Sequence, residues 1–336
     1  MKRRTFFQAA GLASAGLGFS AVLGEESACA EAPKHLPFYP GVEGKPKPGW
    51  GDAAVEHNTS YYPDFADKNL WIRRDNQVLT CYRTNPNQKY PYLYPLAGPV
   101  SRVSVTAESA QPWPHHRSVF LGADKVNGGN YWQAGSDNGQ IHSQDLQLLQ
   151  AEKNRVEWTD HCVWGKPNVP PIMEDTRRYL LDWRAENYYV LDLFVTFTAL
   201  EDVVFEKSNH GFFGVRVEQD LAPDGGGTLV NADGDSGQAA TLGKPSKWMA
   251  FWGARRFNPA IIEGVAVLCP PKPFENCPWF TRDYGNCSPM PFNFFQDGET
   301  LTWAKGTVTD FVYRTVVFAG KPTDIDLNGL WNEIYG

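Results

Sequence analysis

Residues 189–200 carry the clearest period-two pattern in the chain, and this pattern limits the folds open to it. Side chains at alternate positions of a strand lie on opposite faces of its sheet. The apolar face comprises Leu191, Leu193, Val195, Phe197 and Ala199, and the polar face comprises Asp192, Thr196 and Thr198. The segment is therefore predicted to be a strand with one buried face.

Further short segments of strand-like composition follow one another at close spacing. They cover residues 70–73, 77–82, 100–106, 140–157, 177–184, 211–217, 248–253, 261–268, 300–305 and 311–318. The 31 Gly and 25 Pro favour turns between short strands over long helices. We predict an all-β fold, a large antiparallel β-sandwich of two sheets.

Only the C-terminus has a helical pattern. Thr323 is the predicted N-cap, and an apolar stripe follows at Leu327, Leu330, Trp331 and Ile334. The sandwich is therefore expected to end in a short helix. The Gly-rich stretch 224–243 is interpreted as one long loop.

The N-terminus has the features of an export signal. Arg3 and Arg4 form a twin-arginine pattern, an apolar run covers residues 9–24, and Ala28-Cys29-Ala30 fits a signal-peptidase site. We expect residues 1–30 to be a twin-arginine signal peptide, and the mature protein to be periplasmic or secreted. The alternative is an anchored N-terminal helix. Residues 31–66 are expected to be a Pro-rich arm, and residues 67–336 a single sandwich domain.

Charge and cysteine content narrow the classes of partner. The net charge is −7 and no basic block follows the first residues, so a nucleic-acid partner is not expected. No apolar run beyond the signal is long enough to insert the mature chain into a membrane. Five cysteines follow the signal; Cys277 and Cys287 are close enough in sequence to pair in an oxidising compartment, and no C-x-x-C favours a zinc knuckle.

The densest group of titratable side chains is His115-His116-Arg117, preceded by Trp113 and Pro114. Imidazoles exchange protons near neutral pH, and a guanidinium can hold a carboxylate or polarise a carbonyl. If His115 begins a strand, His115 and Arg117 face one side and His116 the other. The alternative is a surface loop with packed imidazoles.

Two further segments have the composition of saccharide sites. Asn127 and Trp132 belong to the turn 126–132, where amides can bind hydroxyl groups and an indole can stack on a sugar ring. Trp279, Arg282 and Tyr284 belong to the segment 278–285, which is suited to an anionic or hydroxylated ligand. The alternatives are an ordinary hairpin for the first segment and an exposed salt bridge for the second.

Isolated polar residues complete the set of candidates. Glu174, which lies near Arg177 and Arg178, could serve as a carboxylate in a cleft. His142, His161 and His210 could join Glu157 or Glu174 in a metal site, but no H-x-H or H-E-x-x-H spacing supports this. We therefore expect no metal and no other cofactor.

Six segments together resemble a known family. They are Tyr-Leu-Tyr-Pro-Leu-Ala-Gly-Pro at 92–99, Pro-His-His-Arg at 114–117, Val-Asn-Gly at 126–128 leading to Trp132, His-Gly-Phe-Phe-Gly-Val-Arg at 210–216, Gly-Val-Ala at 264–266 and Pro-Trp-Phe-Thr-Arg-Asp-Tyr-Gly at 278–285. The chain from about residue 68 to its end is similar to the secreted PmoA-like proteins that carry the label methane oxygenase. The resemblance implies a role with carbohydrates, since such proteins occur among saccharide-degrading functions.

These observations predict a periplasmic carbohydrate-active protein that cleaves a glycosidic bond by hydrolysis or β-elimination. The candidate catalytic residues are His115, His116, Glu174 and Arg282. The candidate substrate contacts are Arg117, Asn127, Trp132, His210, Trp279 and Tyr284, with Trp132 and Tyr284 as a stacking platform. The alternatives are a non-catalytic carbohydrate-binding protein and a His-ligated metal oxidase.

Overall fold

Strands dominate the computed structural model, which describes residues 59–64, 69–133, 138–208, 211–273, 277–294 and 298–336. The strands are β1 (Thr59–Asp64), β2 (Asn69–Arg74), β3 (Gln77–Arg83), β4 (Tyr92–Leu96), β5 (Val119–Gly122), β6 (Gln140–Ala151), β7 (Arg155–Gly165), β8 (Met173–Ala185), β9 (Tyr188–Ala199), β10 (Val203–Glu206), β11 (Phe212–Arg216), β12 (Thr228–Asn231), β13 (Trp248–Arg255), β14 (Asn258–Leu268), β15 (Trp279–Arg282), β16 (Asn286–Pro289), β17 (Thr300–Trp303) and β18 (Val308–Ala319). The proposed signal peptide, most of the Pro-rich arm and His210 lie outside the described residues.

Two large antiparallel sheets form the sandwich, which confirms the predicted fold class. The first sheet has the order β1-β2-β3-β4-β5-β11-β16-β15, and the second has the order β12-β13-β14-β18-β9-β8-β7-β6. Strands β10 and β17 form a separate two-stranded sheet. Among the described residues, no helix is both long and apolar enough to cross a bilayer.

The main core lies between the two large sheets. Leu191, Leu193 and Phe197 of β9 are buried there, as the alternation predicted. Phe213 of β11 stacks on Tyr313 of β18, with ring centroids 4.3 Å apart. These contacts join the inner faces of the sheets, so the opposite face of the first sheet is left for loops to cover.

The C-terminal helix covers part of the outer face of the second sheet. Helix α2 (Leu327–Tyr335) follows the short helix α1 (Gln238–Thr241) in the chain. Its cap is Asp326, whose Oδ1 accepts a hydrogen bond from the Gly329 amide at 2.8 Å, so the prediction of Thr323 was wrong. Asp192, predicted to face solvent, is buried because this helix covers it and Arg314 pairs with it at 2.7 Å.

Three segments differ from the sequence-based expectation. Residues 100–106 form turns and two isolated bridges, at Ser104 and Thr106, because they close a reversal between β4 and the loop that precedes β5. The stretch 224–243 contains β12 and α1. Residues 59–64, within the expected irregular arm, pair with β2 at the edge of the first sheet, where a proline is tolerated.

The five cysteines in the described residues are buried and form no disulfide. Cys277 contacts Cys269. Cys287 instead faces Val215 across β11 and β16. The sequence therefore suggested the wrong neighbour for Cys277, because strand pairing carries Cys287 to a different position in the core.

Candidate functional site

Residues 107–118, which we call the histidine loop, leave the first sheet and return to it at one point. The Ser118 amide donates to the Ala107 carbonyl at 2.8 Å. Arg216 of β11 holds both ends, because its amide donates to the Ser118 carbonyl at 2.7 Å and its carbonyl accepts from the Ala107 amide at 2.9 Å. A loop closed in this way is compact and can present side chains from fixed positions.

The histidine loop forms one wall of a cavity of about 200 Å³. The side chains that line it are Trp113, His115, His116, Gln133, Phe280, Arg282 and Tyr284. Phe280 and Arg282 are two residues apart in β15 and therefore share a face, and Tyr284 follows in the turn to β16. The structure thus brings together four of the candidate residues: both histidines, Arg282 and Tyr284.

The two histidines line the same cavity. Opposite orientations were expected only if His115 began a strand, and it does not. The strand begins only at Val119, and His115 and His116 lie in a turn where the His116 amide donates to the Trp113 carbonyl at 3.0 Å. The His115 and His116 rings meet edge to face with centroids 4.5 Å apart. His115 is half-buried and His116 is buried, so His115 is the more accessible imidazole.

Trp132 is buried beneath the histidines and is not an exposed stacking platform. Its ring stacks on His116 at 5.0 Å and on Phe120 at 5.4 Å, and it meets His115 edge to face at 4.8 Å. The sequence could not show this, because a tryptophan at a turn can point to solvent or inward. Trp132 therefore supports the histidines from below.

The turn 126–132 positions cavity residues through its side-chain amides. Asn130 Oδ1 accepts hydrogen bonds from the amides of Trp132 at 3.0 Å and Gln133 at 2.8 Å, which places Gln133 at the cavity. Asn127 Oδ1 accepts from the Val204 amide at 2.7 Å, and its Nδ2 donates to Glu201 at 2.8 Å. Asn127 is therefore engaged in holding the turn and does not contact the cavity, contrary to the prediction.

Tyr284 lies between two guanidinium groups. Arg216 Cζ lies 4.5 Å from its ring centroid, and Arg282 forms a hydrogen bond with it. Burial raises the pKa of Tyr284, while the positive charges of Arg216 and Arg282 oppose this rise. The phenol is therefore protonated at neutral pH but stands where its anion would be stabilised.

The arginines of this site differ from buried arginines elsewhere in the protein. Arg177, Arg255 and Arg314 each pair with a carboxylate at 2.7–3.1 Å. Within the described residues, neither Arg216 nor Arg282 forms an ion pair with a carboxylate. The cavity thus has one guanidinium in its wall and a second behind Tyr284, in a protein of net charge −7.

Three other predicted residues lie away from the cavity. Glu174 belongs to the second sheet and pairs with His161, with Nε2 and Oε2 3.1 Å apart, because strand pairing places β7 beside β8. Trp279 faces inward from β15, opposite to Phe280, and its Nε1 donates to the Ser246 carbonyl at 2.9 Å. Arg117 stacks over Tyr92, with Cζ 5.2 Å from the ring centroid, outside the cavity.

Sequence reasoning missed Gln133, Phe280 and Arg216 as parts of the site. Phe280 could have been found from period two, since it precedes Arg282 by two residues. Arg216 and Gln133 have no such signal, because contacts distant in sequence bring them there. In the described part of the chain, no group of three or more His, Cys, Asp and Glu side chains could hold a metal ion.

Comparison with known proteins places the chain in a family. No curated protein matches it. Two solved structures show remote similarity. One, a human-microbiome protein provisionally named kojibiose phosphorylase, has a TM-score of 0.33 and 8% identity; the match covers 76% of this chain and 31% of that one. The other, an Escherichia coli K12 protein provisionally named aldose 1-epimerase, has a TM-score of 0.31 and 9% identity; the match covers 78% of this chain and 99% of that one. A family profile matches residues 69–332, and the chain therefore belongs to DUF6807, a family of unknown function.

Proposed function

We propose that the protein binds an acidic saccharide in the cavity beside the histidine loop and cleaves it by β-elimination. The observation that carries this proposal is the set of groups in the cavity. Two imidazoles, a guanidinium and a phenol line it, and no carboxylate does so among the described residues.

The size and walls of the cavity suit one sugar ring. A volume of about 200 Å³ is below the range of roughly 300–1,000 Å³ typical of drug-sized ligands. Trp113 is 46% exposed and can stack on the apolar face of a ring. Gln133 offers an amide to hydroxyl groups.

The charge of the cavity favours an anionic ring. Arg282 has no carboxylate partner among the described residues, and its planar guanidinium can bind a carboxylate with two hydrogen bonds. Arg216 adds a second positive charge behind Tyr284. A uronic acid carries the carboxylate that this arrangement would recognise.

Elimination fits these groups better than hydrolysis does. Most glycoside hydrolases use two carboxyl groups, one on each side of the scissile bond. Glu174, the carboxylate expected here, lies on the other sheet beside His161. Elimination from a uronate requires only a base, an acid and a group that stabilises the carboxylate, and all three line the cavity.

The proposed reaction has three coupled proton and bond changes. Arg282 binds the uronate carboxylate and stabilises the negative charge that develops when the neighbouring carbon loses its proton to His115. The electron pair of that C–H bond forms a double bond to the next ring carbon, whose bond to the glycosidic oxygen breaks. Tyr284 donates its phenolic proton to the departing oxygen. Water is not consumed, and His115 and Tyr284 recover their original states by exchanging a proton with solvent.

Product formation on matched substrates tests this proposal. A uronate oligosaccharide should yield a product with a conjugated double bond, detected by ultraviolet absorbance, whereas the same oligosaccharide with its carboxyl groups reduced to alcohols should not react. His115→Ala should lower the rate by about 10²–10⁴-fold. The matched control is His161→Ala, which removes a half-exposed histidine outside the cavity and should leave the rate unchanged.

Binding without conversion would overturn the elimination proposal. A wild-type protein that binds uronate oligosaccharides and never changes them would be a carbohydrate-binding protein. Equal conversion of the reduced substrate would remove Arg282 from the proposed role.

The site of action is also part of the proposal. On the strength of Arg3, Arg4 and the segment 28–30, we propose export by the twin-arginine route to the periplasm or beyond. The resemblance to secreted PmoA-like proteins supports the same location. Changing both arginines to lysine should leave uncleaved precursor in the cytoplasm, and normal export of that variant would contradict the assignment.

A further inference from the structure

Arg216 is a buried charge that the fold leaves largely unpartnered. Its side chain is 1% exposed. Its Nη2 donates to the Gln111 carbonyl at 3.2 Å, while Nε and Nη1 have no hydrogen-bond partner among the described residues. Such a group is costly, since buried cations are normally paired with a carboxylate.

The residues beside Arg216 in the sheet provide no carboxylate with which it could form an ion pair. Asn286 lies directly opposite in β16, is 0% exposed, and neither side-chain amide atom forms a hydrogen bond with a residue that the structure describes. Arg282 lies opposite Asn286 in β15, so two arginines flank one asparagine on the same face of the sheet. The row formed by Arg216, Asn286 and Arg282 lies under the cavity and contains no carboxylate side chain.

The clearest contact of the Arg216 guanidinium is with Tyr284. Its Cζ lies 4.5 Å from the ring centroid, and its remaining carbonyl contact is in the histidine loop. Among the described residues, Arg282 forms a hydrogen bond with Tyr284, the His116 ring centroid lies 5.9 Å from that of Tyr284, and His115 lines the same cavity. The negative charges of Glu218 and Asp224 also act on Arg216 and oppose the fall in its pKa that burial causes.

We propose that Arg216 is a positioning residue that acts through Tyr284, by stabilising the phenolate which forms when Tyr284 donates its proton to the departing sugar oxygen. This inference rests on the proposed elimination. A phenolate spreads its negative charge into the ring, so a cation over the ring attracts it more strongly than the neutral phenol. The backbone of Arg216 also holds the histidine loop, so one residue fixes the acid relative to the histidines.

The fold supports this role in a second way. Burial of Tyr284 raises its pKa and would by itself make the phenol a weak proton donor, and Arg216 and Arg282 counteract that effect. Arg282 must also bind the substrate carboxylate in the proposed reaction, which neutralises much of its charge. Arg216 carries no such second task, so its charge remains available to the phenolate.

Variants of Arg216 test the proposal through the pH dependence of the rate. Arg216→Met keeps the apolar bulk and removes the charge, and Arg216→Lys keeps the charge without the planar stacking. For Arg216→Met we expect a rate about 10- to 100-fold lower at neutral pH, a part of the contribution of a general acid. The decline of activity at alkaline pH, caused by ionisation of Tyr284, should move to higher pH. Arg216→Lys should show a smaller change both in the rate at neutral pH and in the pH at which activity declines.

The matched control is Arg117→Met, which removes a guanidinium from the ring of Tyr92, outside the cavity. This variant should leave the decline of activity at alkaline pH where it is in the wild type. In a Tyr284→Phe background, Arg216→Met should cause little further loss, because its effect passes through the phenol. An equal loss in both backgrounds would show that Arg216 has only a structural role and would overturn the inference.

A spectroscopic titration separates this inference from the proposed reaction. With carbon-labelled tyrosine, the resonance of Tyr284 among the 14 tyrosines is identified by its absence in Tyr284→Phe. Its titration midpoint should rise in Arg216→Met and not in Arg117→Met, without any substrate. A rise in a protein with no elimination activity would refute the reaction but uphold the effect of Arg216 on Tyr284. An unchanged midpoint in a folded Arg216→Met protein, or in Arg216→Gln if the methionine variant does not fold, would refute the inference itself.

Discussion

Replacement of Trp132 by alanine should mainly destabilise the protein, because the ring lies under the histidines. The indole is 0% exposed and contacts His115, His116 and Phe120, with ring centroids 4.8–5.4 Å away. An aromatic side chain buries about 150–250 Å², which at about 25 cal/mol/Å² corresponds to about 4–6 kcal/mol. This value is an upper limit, and tryptophan-to-alanine changes in cores cost about 3–5 kcal/mol.

The assay is urea unfolding of the wild type and Trp132→Ala, followed by saccharide binding under conditions where both are folded. The matched control is Trp113→Ala, because Trp113 lines the same cavity but is 46% exposed. Trp113→Ala should change the free energy of unfolding by less than about 1 kcal/mol and weaken saccharide binding. A Trp132→Ala protein as stable as the wild type but unable to bind saccharide would refute the reasoning and restore Trp132 as an exposed platform.

Three further predictions concern two buried carboxylates of the second sheet and the cap of the C-terminal helix. Asp175→Asn should lower the free energy of unfolding by about 3–5 kcal/mol, because it leaves the buried Arg177 without its carboxylate at 2.7 Å. Asp160→Asn should cost about 1 kcal/mol or less, because burial raises the pKa of Asp160 and disfavours its charge. Wild-type stability should fall as pH rises from the usual aspartate range through that raised pKa, and the Asp160→Asn protein should lack this fall. Asp326→Ala should cost about 1 kcal/mol by removing the cap of α2. Urea titrations at several pH values measure the free energy of unfolding of all three variants. Equal losses of stability in Asp160→Asn and Asp175→Asn would contradict the inference that burial disfavours the charge of Asp160 while Asp175 pairs with Arg177 as a carboxylate.

The sequence was most informative where structure depends on local pattern. The alternation of Leu191, Leu193, Val195 and Phe197 predicted both the strand and its buried face. Side chains at alternate positions of a strand share one face, so only one orientation of the strand buries the apolar set. The turn at Asp75 and Asn76 was also predictable: both residues have positive φ, which their short polar side chains tolerate.

The sequence was less informative where structure depends on distant contacts. Adjacent histidines would face opposite sides of a strand, but they lie in a loop, closed by Ala107 and Ser118, that turns both into one cavity. Glu174 was expected beside them, but strand order places it on the other sheet. The contact of Arg216 with Tyr284 joins residues on β11 and after β15, strands that are not sequence neighbours. Residue types therefore identified the chemistry of the site, and the sheet topology selected its members.

The fate of water oxygen tests the central claim most directly. A uronate oligosaccharide is incubated with the protein in isotopically labelled water, and the products are analysed by mass spectrometry. Elimination breaks the glycosidic bond without adding water, so one new chain end should carry a carbon–carbon double bond, and the other should carry no label in products reduced with borohydride immediately after the reaction. The reduction is needed because the hemiacetal oxygen of a new reducing end exchanges slowly with water. A product with one labelled oxygen at its reducing end and no double bond at the other chain end would show hydrolysis and contradict the proposed roles of His115, Arg282 and Tyr284.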